Sequence, residues 1–130
     1  MEDYLEVISE LVELKGYAIP ADISNYMDVS PPSVTKMLQR LDEYGYIEYT
    51  KYSGLKLNPT GKKLANEIRQ KHSNLLEFFE MIGVGSSIAN EDVEGIEHYL
   101  NPKTMKQLRK FITFLKSNPD LLALFNQTNF

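Results

Sequence analysis

Residues 30–59 read SPPSVTKMLQRLDEYGYIEYTKYSGLKLNP, and this stretch decides the fold of the first half of the chain. Ser30 is a typical N-cap, and Pro31 suits the first helical position because its missing N–H would have no partner there anyway. Apolar residues then recur at helical spacing until Gly45. The pattern predicts a helix over 30–44.

A β-hairpin is predicted directly after this helix. Residues that favour strands alternate on both sides of Ser53–Gly54, which is typical of a hairpin turn. Two further helices are predicted earlier in the chain, over 2–15 and 20–27. Helices joined by a tight turn and followed by a hairpin have the order of a winged helix-turn-helix, in which the helix over 30–44 is the recognition helix.

The charge of the chain is unevenly distributed around this motif. Residues 30–71 hold eight basic and four acidic residues, although the whole chain has a net charge of −4. Polar and basic side chains of a recognition helix and wing can reach base edges and phosphates, although such a basic segment can also be a plain solvated face. We predict DNA contacts from Ser30, Pro31, Ser33, Thr35, Lys36, Gln39 and Arg40 of the helix and from Lys51 and Tyr52 of the hairpin. Lys56 of the hairpin and Lys62 and Lys63 of the following helix add to the same basic set.

The second half of the chain reads as helical. A long helix is predicted from about 59 to 82, a second carries residues 91–100, and a third covers 103–116 before a short apolar tail. The predicted fold class is therefore mainly α with a small β-hairpin wing. We predict two domains, over 1–62 and 63–130, linked by the long helix.

Composition excludes several classes of protein. The chain has no cysteine, which removes disulfides, thiolate catalysis and cysteine-bound zinc. It has no apolar run near the roughly 20 residues that a membrane span needs, and no secretory signal. We expect a cytoplasmic protein with no membrane partner.

The stretch EDVEGIEHYL over 91–100 raises a question of its own. Helical spacing puts Glu94, Glu97 and His98 within about 100° of arc. Val93, Ile96 and Leu100 lie on the neighbouring arc and are predicted to face a core. Residues 72–101 contain six acids and no Lys or Arg. Crowded carboxylates raise each other's pKa and destabilise the fold, and a bound divalent cation would remove this repulsion. The alternative is that Glu94 and His98 form an ordinary side-chain pair four residues apart on the helix. Imidazole and carboxylate ligands without sulfur suit manganese, iron, cobalt or zinc.

Local patterns around three other candidate ligands favour ordinary structural roles. His72 lies on the apolar stripe of the long helix, where a histidine is more often a core residue with one hydrogen bond. Asp3 and Glu6 lie near the start of the first helix, where acidic side chains complement the helix dipole.

Four segments together resemble the manganese-sensing branch of the diphtheria toxin repressor family, the manganese transport regulators. They are MEDYLE at 1–6, VSPPSVTKMLQRLDEYGYI at 29–47, KYSGLKLNPTGKKLA at 51–65 and EDVEGIEHYL at 91–100. The resemblance covers about residues 1–115 in the same order, and it implies an N-terminal winged-helix domain and a C-terminal helical dimerisation domain.

The resemblance also implies a function. Members of this branch are homodimeric, manganese-responsive repressors of metal-uptake genes, so the resemblance implies that this chain binds double-stranded palindromic operator DNA. It also implies that the chain is not an enzyme and has no small organic substrate. Divalent metal bound between the two domains would order the dimer for operator binding, with two Mn²⁺ ions per subunit and Fe²⁺, Co²⁺, Cd²⁺ or Zn²⁺ as substitutes. The family's ligands match Asp3, Glu6, His72, Glu94, Glu97 and His98.

Two other functions fit parts of the pattern. A winged-helix regulator that senses an organic ligand or a partner would bind DNA without metal. A two-metal hydrolase would use bridging carboxylates to activate water. Against the hydrolase, the sequence has no second acid/base pair and no glycine-rich phosphate loop.

Overall fold

The computed structural model describes residues 1–50 and 54–128. In these ranges the chain forms seven helices and one two-stranded sheet. In chain order they are α1 (Glu2–Lys15), α2 (Pro20–Met27), α3 (Pro31–Glu43), β1 (Ile47–Thr50), β2 (Gly54–Leu57), α4 (Pro59–Met81), α5 (Ser86–Ile96), α6 (Pro102–Ser117) and α7 (Pro119–Gln127). The predicted fold class, mainly helical with a hairpin wing, is confirmed. Within the described ranges, no helix is long and apolar enough to cross a membrane.

The recognition helix α3 begins as its sequence predicts. The Ser30 side chain accepts a hydrogen bond from the backbone N–H of Ser33, and proline occupies the first helical position. One face of the helix is buried in the core through Val34, Leu38 and Leu41. Met37 is partly buried against the same core, and the other positions of α3 are exposed.

The hairpin packs its apolar face on the helices before it. Strand β1 pairs antiparallel with β2, with Ile47 opposite Leu57 and Tyr49 opposite Leu55. Leu55 also exchanges backbone hydrogen bonds with Ala18, which ties the hairpin to the α1–α2 connection. The predicted turn residues 51–53 lie outside the described residues.

The start of α4 is held against the turn that follows α3. Asn58 donates a side-chain hydrogen bond to the carbonyl of Gly45 and accepts one from the backbone N–H of Gly61 at 2.8 Å. A Cβ atom at Gly61 would lie 2.0 Å from the carbonyl oxygen of Tyr46. The backbone therefore approaches so closely here that only glycine fits.

The chain forms two compact units, Met1–Arg69 and Gln70–Phe130. The first has a core built by α1, α2, α3 and the hairpin, with Leu5, Ile8 and Leu41 fully buried. The second has a smaller core around Leu75 and Val93. The predicted boundary after residue 62 and the observed one after Arg69 both fall within α4.

Three details differ from the sequence-based expectation. The helix α5 starts earlier than expected, at Ser86, and ends at Ile96, so His98 follows the helix. Asn101 has an extended backbone before Pro102 and caps α6, so a helix could not have continued through residue 101. Ile96, predicted to face a core, is 37% exposed. The apolar tail forms a helix, α7, which Pro119 begins.

Candidate metal centre and DNA interface

Glu97 is a buried carboxylate, with only 5% of its surface exposed. It is the C-cap residue of α5, and its backbone N–H donates to the carbonyl of Val93. The helix ends at this point, so Glu97 points inward whereas Ile96 points outward. A buried carboxylate is costly unless hydrogen bonds or a cation compensate for its lost hydration.

Two imidazole rings lie against this carboxylate. His72 of α4 donates a hydrogen bond through Nδ1 to Oε2 of Glu97 at 2.8 Å. Nε2 of His98 lies 3.6 Å from the other oxygen, Oε1. Both histidines of the chain therefore meet at one carboxylate within the second unit.

These side chains offer nitrogen and carboxylate oxygen and no sulfur. This is the donor chemistry that suits manganese, iron, cobalt and zinc in proteins. His72 is half-buried, with 27% of its side chain exposed, and His98 is 36% exposed, so the group is reachable from solvent. The donors present therefore fit a first-row divalent cation.

The other predicted ligands lie on two helices. Glu94 is exposed on α5 and takes no part in the contacts of Glu97 with the two histidines. Asp3 is exposed and Glu6 is half-buried, and both belong to α1 of the first unit. Within the second unit, the structure thus brings together three of the six predicted ligands.

The predicted DNA-contacting side chains of α3 are all on the surface. These residues are Ser30, Pro31, Ser33, Thr35, Lys36, Gln39 and Arg40. Ser33, Thr35, Lys36, Gln39 and Arg40 lie outside the buried stripe of Val34, Leu38 and Leu41, whereas Ser30 and Pro31 are exposed because they form the start of the helix. Lys51 and Tyr52 lie outside the described residues.

Some of these side chains make hydrogen bonds within the first turns of the helix itself. The hydroxyls of Ser30 and Ser33 hydrogen-bond at 2.8 Å, and Thr35 donates to the carbonyl of Pro31 at 3.1 Å. Lys36, Gln39 and Arg40 extend beyond this first turn. The long side chains are thus the ones best able to reach a nucleic acid.

Tyr49 is a candidate contact that the sequence reasoning missed. It lies on β1, is 63% exposed and lines a groove of about 240 Å³ with Thr35 and Gln39 of α3. The strand alternation gave no signal for this role, because Tyr49 is two residues after the buried Ile47 and shares its face, which predicts burial. Only the position of α3 shows that this face meets the recognition helix.

Two family models match the chain in succession. Residues 1–55 match the iron dependent repressor N-terminal DNA binding domain, and residues 58–122 match the iron dependent repressor metal binding and dimerisation domain. The HTH-type transcriptional regulator MntR of Lysinibacillus sphaericus is 43% identical over 122 residues, which cover 94% of this chain and 88% of that protein.

Solved structures show the same architecture. The manganese regulator SloR is 28% identical with a TM-score of 0.75, over 87% of this chain and 53% of that one. The structure of ScaR with bound Cd²⁺ is 27% identical with a TM-score of 0.79, again over 87% and 53%. The chain thus spans about half the length of these solved chains.

Proposed function

The chain belongs to the iron dependent repressor family, as its resemblance indicated, and we propose that it is a manganese-responsive, DNA-binding transcriptional repressor of metal-uptake genes. The family consists of transcriptional regulators rather than enzymes, so the hydrolase hypothesis is discarded. The observation that carries the proposal is the meeting of His72 and His98 at the buried carboxylate of Glu97.

We propose that His72, Glu94, Glu97 and His98 bind the metal together with Asp3 and Glu6 of α1. The donor chemistry of the His72–Glu97–His98 group supports the choice of a divalent cation. The curated relative supports a manganese-type regulator, and the Cd²⁺-bound ScaR structure supports cadmium as a substitute. Zn²⁺, Fe²⁺ and Co²⁺ are proposed as further substitutes. Two ions per subunit are proposed, and metal analysis of the loaded protein tests that number.

The regulation follows from where the ligands lie in the sequence. When bound, the cation supplies positive charge that offsets the carboxylates of residues 72–101, which contain no Lys or Arg. The ligands are assigned to both halves of the chain. Metal binding would therefore depend on how the halves are arranged in a dimer, and that arrangement would in turn depend on the metal. A coupling of about 1–3 kcal/mol would change DNA affinity roughly 5- to 150-fold, and operator DNA would tighten metal binding by the same factor.

On the DNA side, α3 would lie in the major groove, where Lys36, Gln39 and Arg40 can reach base edges or phosphates. Tyr49 joins them at the edge of the hairpin. A homodimer presents two such helices, which is why we propose a palindromic operator with half-sites about one helical turn, or a multiple of it, apart.

The experiment is a manganese titration monitored by fluorescence anisotropy at fixed salt. The operator is first selected from random duplexes in the presence of Mn²⁺, and a scrambled duplex serves as control. We expect tight binding to the selected duplex with Mn²⁺ and at least fivefold weaker binding in chelator. Equal affinity with and without chelator would contradict the metal switch, and equal affinity for both duplexes would contradict the specific repressor.

Asp3 and Glu6 have a test of their own. Asp3→Asn and Glu6→Gln each keep the shape of the side chain and remove one negative charge. We expect both variants to need at least tenfold more Mn²⁺ for DNA binding, and Glu2→Gln, next to Asp3 on α1, to respond like the unchanged protein. A full manganese response in both variants would remove α1 from the ligand set.

A further inference from the structure

A groove on the first unit lies between α1 and the first turns of α4. Its volume is about 230 Å³, and its apolar part is formed by Val12 of α1 and Leu57 of β2. Lys62 belongs to the basic segment expected to face DNA, whereas none of the other lining residues is assigned to the metal or to operator DNA. The groove therefore needs an explanation of its own.

One wall of this groove consists of nitrogen donors. Lys62, Asn66 and Arg69 occupy positions i, i+4 and i+7 of α4, which places them on one face of the helix. The opposite wall adds the hydroxyl of Ser9. Two cationic side chains, an amide and a hydroxyl above an apolar floor form an environment suited to an oxyanion with a hydrocarbon part.

A carboxylate of the chain itself already lies at the rim. Oε1 of Glu13 accepts a hydrogen bond from Nη1 of Arg69 at 2.6 Å, and Arg69 holds the pKa of Glu13 below its usual value. The Glu13 side chain is 66% exposed, whereas that of Arg69 is 32% exposed. Because Glu13 is a solvated surface side chain, another carboxylate can displace it at little cost.

We propose that this groove binds a small organic acid with two carboxylate groups, and that Glu13 competes with it for Arg69. One carboxylate pairs with Arg69 in place of Glu13, the other lies beside Lys62 and Asn66, and the hydrocarbon between them covers Val12 and Leu57. A groove of about 230 Å³ is below the usual range of roughly 300–1,000 Å³ for ligand pockets, which favours a compact acid. The ligand would link α1 to α4 and thereby stabilise the first unit.

The test measures thermal unfolding of the metal-free protein with increasing sodium succinate, at an ionic strength kept constant with sodium chloride. We expect a saturable rise of the unfolding temperature. Glu13→Gln removes the competing carboxylate and should lower the succinate Kd about fivefold, whereas Lys62→Met and Arg69→Met should each raise it about tenfold or more. Lys106→Met, which removes an exposed charge from α6, is the matched control and should leave the Kd unchanged.

Several results would overturn the proposal. One is a rise of the unfolding temperature with succinate that is no larger than with chloride, in both the unchanged protein and Glu13→Gln. Another is the same succinate-dependent rise in all variants. Inorganic phosphate that stabilises as strongly as succinate would assign the groove to a single oxyanion. Loss of duplex DNA binding in Lys62→Met and Arg69→Met without any succinate effect would assign it to the DNA backbone. Because Lys62 is exposed, its variant remains informative even if Arg69→Met folds poorly.

Discussion

Nδ1 of His72 lies 2.8 Å from Oε2 of Glu97, although 25 residues separate them in the chain. The contact joins α4 to the end of α5 inside the second unit. It provides the buried Glu97 carboxylate with a hydrogen-bonding partner, and it brings together two residues whose side chains can both bind a divalent metal.

Glu97→Gln tests this contact directly, because the amide keeps the shape of the side chain but removes its charge and replaces one acceptor oxygen with an NH₂ donor. We expect the manganese affinity to fall at least tenfold, or about 1.4 kcal/mol, with the fold retained by circular dichroism. Glu91→Gln, an exposed acid of the same helix, should change the affinity little. The measurement is isothermal titration with Mn²⁺, and equal affinity in both variants would remove Glu97 from the metal site.

Arg40→Ala should weaken operator binding by about 1–3 kcal/mol if the guanidinium contacts a base edge, and should leave manganese affinity without DNA unchanged. Arg40 is exposed on α3, so the truncation leaves the core intact. Lys106→Ala on α6 removes the same charge elsewhere and serves as control. Anisotropy at several salt concentrations checks the prediction, and an Arg40→Ala affinity equal to that of the control would refute the role.

Gly61→Ala should destabilise the first unit by about 2–3 kcal/mol, because the new Cβ would lie 2.0 Å from the carbonyl oxygen of Tyr46. Gly95→Ala, within α5, should have the opposite effect on stability. Apart from its chain neighbours and the adjacent helical backbone, no heavy atom lies within 4 Å of its added Cβ, so alanine should raise stability by about 0.5–1 kcal/mol. Urea unfolding measures both, and two variants of equal stability would show that the close approach is not rigid.

Glu13→Gln should reduce stability only slightly, because the ion pair is exposed, and in a pH-dependent manner. Arg69 lowers the pKa of Glu13 from its ordinary value of 4.5, so the folded state favours the ionised carboxylate. The stabilisation is therefore present above pH 4.5 and is lost as the pH falls through the lowered pKa. The free energy of unfolding of both proteins is compared from pH 7 to pH 2.

The unchanged protein should be the more stable near neutral pH, and the difference should vanish on acidification and shrink in high salt. Glu67→Gln, an exposed acid of α4, is the control. A difference that stays constant over the whole pH range would show that the ion pair is not its cause.

The winged helix-turn-helix could be predicted because its signals are local. Ser30 and Pro31 mark the start of α3 through hydrogen bonding and backbone geometry that depend only on their neighbours. The outward side chains of that helix follow from its period, and all seven predicted contacts on it are exposed. Tyr49 was not predicted as a DNA contact, because it comes next to Thr35 and Gln39 of α3 only in the folded domain.

The sequence by itself determined the order of helices and hairpin and the acidic segment that carries Glu94, Glu97 and His98. Periodicity, caps and turns act over a few residues, so they can be read directly from the chain. Only the tertiary structure decided that Glu97 is buried while Ile96 is exposed, and that His72 meets Glu97. Those outcomes depend on where α5 ends and how it packs on α4, and such long-range packing is not encoded in the spacing of any one segment.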